Sequence, residues 1–151
     1  MNRLAALLVL LAIPALAADF ASTEAEAQEW YETSYAVLWK DAENIDLDEV
    51  RKHYANGYRV HLAEGGFRVA ANSEEEWRST LQYFGKLWTG SVLQRVSVTA
   101  FNANSVSVHS VWVNRHSDGT TSSNCANYVA ARIPSVGWKF LDLFVLVCPK
   151  R

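Results

Sequence analysis

The spacing of hydrophobic positions changes lastingly at Gly90. Up to Gly90, outside one short alternating stretch at 58–71, apolar residues recur every three or four positions, and beyond it they alternate with polar ones. Ala27, Trp30, Tyr31, Ser34, Val37, Leu38 and Asp41 fall on one helical face, and Thr23 with Glu26 has the form of a capping box at its start. Asp46 and Glu49 repeat that start signal for a short second helix, with Leu47, Val50 and Tyr54 inward and Asn56-Gly57 as its end. Tyr58 to Ala63 and Phe67 to Ala71 alternate around Glu64-Gly65-Gly66, which predicts a small hairpin. Ser73 and Glu76 then cap a third helix, with Trp77, Thr80, Leu81, Phe84, Leu87 and Trp88 as its apolar stripe.

Four long strands follow, at Val92 to Phe101, Ser105 to Arg115, Thr121 to Arg132 and Trp138 to Cys148. Asp118-Gly119 is a two-residue turn signal, and Pro134 to Gly137 supplies the next reversal. The order predicts an α+β domain in which three N-terminal helices pack on a mainly antiparallel sheet. With Asp118-Gly119 as a two-residue loop, Trp112 faces Cys125, Ser110 faces Asn127 and His109 faces Tyr128; setting Cys125 opposite Cys148 extends the register to the last strand. One face then carries Ser110, Trp112, Asn127, Trp138, Phe140, Asp142, Phe144 and Leu146. The other carries His109, Val111, Val113, Tyr128, Leu141, Leu143, Val145 and Val147. It has too many Val and Leu to stay bare, so a second copy is expected to cover part of it.

The first residues change the picture of what the working chain is. Asn2 and Arg3, the apolar run Leu4 to Ala12, Pro14 and Ala15-Leu16-Ala17 fit a secretory signal peptide over residues 1–17, leaving 18–151 as one domain. Export carries no integral membrane segment after cleavage, and points to the periplasm or the cell exterior. There Cys125 and Cys148 are expected to form a disulfide, with two buried free thiols as the alternative. The net charge of -2 argues against a nucleic-acid partner held by global positive charge. Acidic residues crowd the first half, and only Asp118 and Asp142 lie beyond Glu76.

That scarcity singles out Asp142. In the row Trp138, Phe140, Asp142, Phe144, Leu146 its carboxyl group would be desolvated and suited to proton transfer; pairing with a cation such as Arg132 is the competing reading. Ser110 and Asn127 are placed to hydrogen-bond a ligand or each other, and Tyr31 to donate from the first helix with Trp30 beside it. His61 is placed on the solvent side, and His53 and His116 are expected to be exposed. The four histidines show no metal-ligand spacing, so neither metal nor cofactor is expected.

The order of elements, the sequence Ala55-Asn56-Gly57-Tyr58 after the second helix and the terminal Gly137-Trp138-Lys139-Phe140 strand resemble the nuclear transport factor 2-like superfamily, with its SnoaL-like cyclases and ketosteroid isomerases. The resemblance implies a cone-shaped α+β roll around an apolar cavity, often in dimers. Tyr31 is similar in placement to the tyrosine that its enzymes use. Asn56 departs from the acidic residue that often follows the second helix, so the resemblance does not carry proton abstraction to that position. Two expectations follow. The first is a pocket for a small, largely apolar molecule, with Asp142 and Tyr31 as catalytic groups of a lyase, isomerase or hydrolase and Trp30, Ser110, Trp112, Asn127, Phe140 and Phe144 as ligand contacts. The second is a non-catalytic homodimeric accessory module.

Overall fold

The computed structural model describes residues 20–62, 68–70, 88–146 and 148, together with Glu75, Glu76, Arg78, Ser79, Gln82 and Lys86. Helix α1 spans residues 20–41 and changes pitch twice: it is α-helical over 20–30, a π-helix over Tyr31–Tyr35 and a 3-10 helix over Ala36–Asp41. The side chains explain the change. Ala27, Tyr31, Tyr35 and Trp39 are all buried and stand four residues apart. In an α-helix each such step drifts by about 40° around the axis. The wider π turn offsets that drift and keeps the aromatic residues on the sheet side.

The pattern-based phase of this helix is corrected accordingly. Ser34, Val37 and Asp41 face water, and Trp30 and Leu38 are half-buried. Because the helix already runs at residue 20, Thr23 lies inside it, and Glu26 bonds Arg132 and the Trp138 indole instead of closing a capping box.

Helix α2 (Leu47–Arg51) begins as predicted, the Asp46 carboxylate accepting from the backbone N–H of Asp48 at 2.9 Å and of Glu49 at 3.2 Å. It ends sooner than expected, because Tyr54 already belongs to strand β1 (Tyr54–Leu62). Strand β2 (Arg68–Ala70) pairs with it antiparallel, forming the anticipated hairpin. The third expected helix falls mostly outside the described residues, which contain two helices as complete elements.

Strands β3 (Gly90–Asn102), β4 (Ser105–Arg115), β5 (Thr121–Ile133) and β6 (Gly137–Leu146) lie where alternation placed them. The sheet order is β2-β1-β6-β5-β4-β3. All neighbours are antiparallel except β1 and β6, whose parallel pairing brings the chain's early hairpin beside its last strand.

Two register details overturn the expected faces. Arg115 pairs with Thr121, so the β4–β5 turn is longer than two residues; Trp112 faces Asn124, Ser110 faces Ala126 and His109 faces Asn127. Every β5 side chain therefore changes face. On β6 a bulge breaks the alternation, Val129 pairing with Asp142 and Ala130 with Phe140, so that Leu141 is the extra residue. Trp138 and Phe140 face the helices, but beyond the bulge Leu143 does so in place of Asp142 and Phe144.

The core against α1 consists of Val106, Val108, Trp112, Ala126, Tyr128, Ala130, Trp138, Phe140 and Leu143 with the aromatic face of the helix. Phe140 is fully buried, its ring centroid 4.7 Å from those of Trp30 and Tyr35 and 4.5 Å from that of Tyr128. Cys125 and Cys148 are joined as expected, pinning the end of the chain to β5 across 23 positions.

Candidate functional site

The inner face of the sheet meets α1 in a row of phenols. Tyr31 donates to the Ser110 hydroxyl at 2.9 Å, the Trp112 indole donates to the same oxygen at 2.9 Å, and Ser110 donates to the Ala126 carbonyl at 3.3 Å. Beside them the Tyr35 hydroxyl lies 2.7 Å from that of Tyr54 and 3.4 Å from that of Tyr128. Burial holds Tyr31, Tyr35, Tyr54, Tyr58 and Tyr128 well above the usual phenol range, so all five stay protonated at neutral pH.

Outside this row opens a cleft of about 410 Å3, a volume that includes open solvent at its mouth. Tyr35, Trp39, Tyr54, Trp88, Trp112 and Tyr128 supply its flat walls. Ser91, Asn114 and Asn124 form a polar ladder along the rest: the Ser91 hydroxyl donates to the Asn114 carbonyl oxygen at 2.8 Å, and the Asn114 amide donates to that of Asn124 at 2.6 Å. Among the described residues of the lining there is no carboxylate, imidazole, ammonium or guanidinium. The buried Trp39 indole N–H is close enough to Tyr35 to favour its ionised form, yet makes no hydrogen bond among the described residues.

The expected catalytic pair is not brought together. Tyr31 is buried, with its hydroxyl hydrogen engaged by Ser110; Asp142 lies on the outer face, past the bulge. There Arg59, not Arg132, grips the carboxylate through Nε at 3.0 Å and Nη2 at 2.9 Å, and His61 Nε2 stands 3.3 Å away. The His61 ring stacks on Phe144 at 4.4 Å, so Phe144 also leaves the set of expected cavity contacts. Asn127 leaves it too, its side-chain oxygen 2.5 Å from His109 Nδ1 on the outer face. Of the other expected contacts, Trp112 lines the cleft, Ser110 and Phe140 lie behind its wall, and Trp30 packs on Phe140 and Trp138 midway along the helix.

His53 is half-buried rather than exposed, 5.7 Å from the Trp30 ring and 5.6 Å from that of Tyr35. Burial first, and then Lys139, lower its pKa to about 4, so the imidazole is neutral. Trp39, Tyr35, Asn114 and Asn124 were not picked out by the pattern. The fourfold spacing from Ala27 to Trp39 was the signal that could have found the first two. Asn124 depended on the length of the β4–β5 turn, whereas Asn114 shares the face of Trp112 by alternation alone. Among the described residues no group of His, Cys, Asp and Glu is placed to hold a metal ion, and no helix is long and apolar enough to cross a membrane.

Comparison with known proteins identifies the architecture. No family model and no curated protein matches the chain. Solved structures do. An NTF2-like protein of unknown function from Pseudomonas putida KT2440 is similar over 87% of this chain and 89% of its own, at 15% identity and a TM-score of 0.63. A domain of unknown function with a cystatin-like fold from Nostoc punctiforme PCC 73102 covers 84% and 78%, at 16% identity and 0.61. A protein named as a candidate ketosteroid isomerase from Shewanella frigidimarina NCIMB 400 covers 69% and 84%, at 13% identity and 0.57.

Proposed function

On this nuclear transport factor 2-like, cystatin-like fold, we propose an exported protein whose cleft holds a small, largely apolar molecule, in a binding rather than a catalytic role. One observation carries the reading. Among the described residues, the cleft is walled by aromatic side chains and a hydrogen-bonded amide ladder, with no carboxylate or imidazole. An isomerase, lyase or hydrolase built on Asp142 and Tyr31 would need both on one side of the sheet. The bulge at Leu141 separates them.

The signal-like residues 1–17 and the Cys125–Cys148 bridge support export. A second copy covering the outer face is part of the proposal: Val111, Val113 and Val129 are half-buried there, and Leu141 and Phe144 are exposed. Light scattering at micromolar concentration should give the mass of a dimer, and a monomer would remove that part. The ligand reading is tested by a thermal-shift screen on the oxidised protein and on Asp142→Asn. Apolar ring compounds should raise the melting temperature of both by the same amount, with no turnover. Binding or turnover lost in Asp142→Asn alone would return the chemistry to that carboxylate.

A further inference from the structure

The end of the molecule away from the cleft carries a surface that the core does not use. Phe20, Phe101, Ile133 and Val136 are all exposed there, Phe101 at 57% and Val136 at 58%. Contacts between elements bring them to one end. Glu24 on α1 accepts from the backbone N–H of Ala100 at 2.9 Å, Glu26 pairs with Arg132 at 2.7 Å, and the Arg132 backbone N–H donates to the Asn104 carbonyl at 2.8 Å. The first turn of α1, the β3–β4 turn and the β5–β6 turn therefore meet, whereas the other end of α1 meets Gly90 beside the cleft. We propose that this end docks on a lipid bilayer, with Phe101, Ile133 and Val136 entering its interface. The proposal is independent of what the cleft holds.

Three observations favour lipid as the occupant. The first is charge. Phe101-Asn102-Ala103-Asn104-Ser105 and Ile133-Pro134-Ser135-Val136-Gly137 contain no charged residue, and the α1 carboxylates that reach them are engaged, Glu24 by Ala100 and Glu26 by Arg132 and the Trp138 indole. Apolar side chains here can leave water without carrying an unpaired charge with them. The second is the backbone. Within and between the turns, the Val136 N–H donates to the Ile133 carbonyl at 3.1 Å, the Asn104 N–H to the Asn102 side chain at 2.8 Å and the Arg132 N–H to Asn104, so these polar groups are already paired before they approach lipid. The third is the chain ahead of α1. It joins at this end, and its apolar run Leu4 to Ala12 is the part that reads as a signal engaging the membrane.

The test is flotation of the disulfide-bonded chain, residues 18–151, with vesicles of phosphatidylcholine alone and of phosphatidylcholine mixed with phosphatidylglycerol. The protein should float with both alike, and high salt should not release it. Phe101→Ser and Val136→Ser should each weaken binding about ten-fold, the worth of one half-exposed apolar side chain. Val92→Ser is the control: Val92 is 53% exposed, but at the Gly90 end of β3, and its loss should leave binding unchanged. All three positions are on the surface, and matching melting temperatures verify that the variants fold. Absence of binding to either vesicle, binding to the anionic vesicles alone with release by salt, or an equal loss in Val92→Ser would overturn the proposal. So would a lipid-free oligomer that Phe101→Ser and Val136→Ser take apart, which would assign the patch to another copy of the chain.

Discussion

Asp142 and His53 show how neighbours, rather than residue type, set what a titratable group can do. The carboxylate sits between Arg59 and His61, a pair that holds two strands together on the outer face. Because Arg59 is largely exposed, Asp142→Asn should cost only about 1 kcal/mol in denaturant melts. A loss several times larger would mean that the carboxylate is buried. His53 has the opposite character, a base kept neutral among rings. Its folded pKa of about 4 lies below the ordinary 6.5, so the unfolded chain binds the proton more readily. Stability from this residue is complete above pH 6.5 and is lost as the pH falls towards 4. Its partial exposure limits that loss to about 1–2 kcal/mol. His53→Gln should flatten the stability profile between those pH values, and an unchanged slope would assign the acid sensitivity elsewhere.

At the scale of elements, the strands were legible because alternation over ten or more residues is a strong signal, and the α2 start because Asp46 caps it through its own side chain. The faces were less legible. A one-residue difference in the β4–β5 turn and one extra residue on β6 leave the hydrophobic pattern of each strand intact while exchanging what it points at. Asp142 and Asn127 were misplaced for that reason alone. The pitch change in α1 was hidden similarly, since tertiary packing of Tyr31, Tyr35 and Trp39 overrides the regular helix. The parallel β1–β6 contact has no local signature at all. The seam between α1 and β3 gives a test at this scale. Ala42 N–H donates to the Thr89 carbonyl at 3.1 Å, and a Cβ on Gly90 would run into the Lys40 carbonyl oxygen. Gly90→Ala should therefore destabilise by about 1–3 kcal/mol in chemical denaturation. A neutral outcome would show that the seam is looser than described.

For the whole molecule, the rings of α1, β4, β5 and β6 form one aromatic core around Phe140, and the cleft is the part of that core left open. Phe140→Ala should cost about 3–5 kcal/mol, read from denaturant midpoints, since its cavity cannot collapse among so many rings. The Cys125–Cys148 bridge closes a loop of 23 positions and should stabilise by about 3 kcal/mol in the chain-entropy model. Full reduction should lower the melting temperature, whereas an unmoved transition would remove the bridge from the account. The fold resemblance was visible in the order of elements, and the solved structures bear it out; the location of the cleft was not, because it depends on which side of the sheet each asparagine and tyrosine faces.

The central claim is that ligand enters between α1 and the inner face of the sheet, at the end where Trp39, Trp88 and Trp112 converge. The indole N–H resonances of the 15N-labelled protein report on it directly during a naphthalene titration. Those of Trp39, Trp88 and Trp112 should move together and saturate, while those of Trp30 and Trp138, which pair midway along α1 and outside the cleft lining, stay in place. Shifts led by Trp30 and Trp138, with the three cleft indoles silent, would contradict the account.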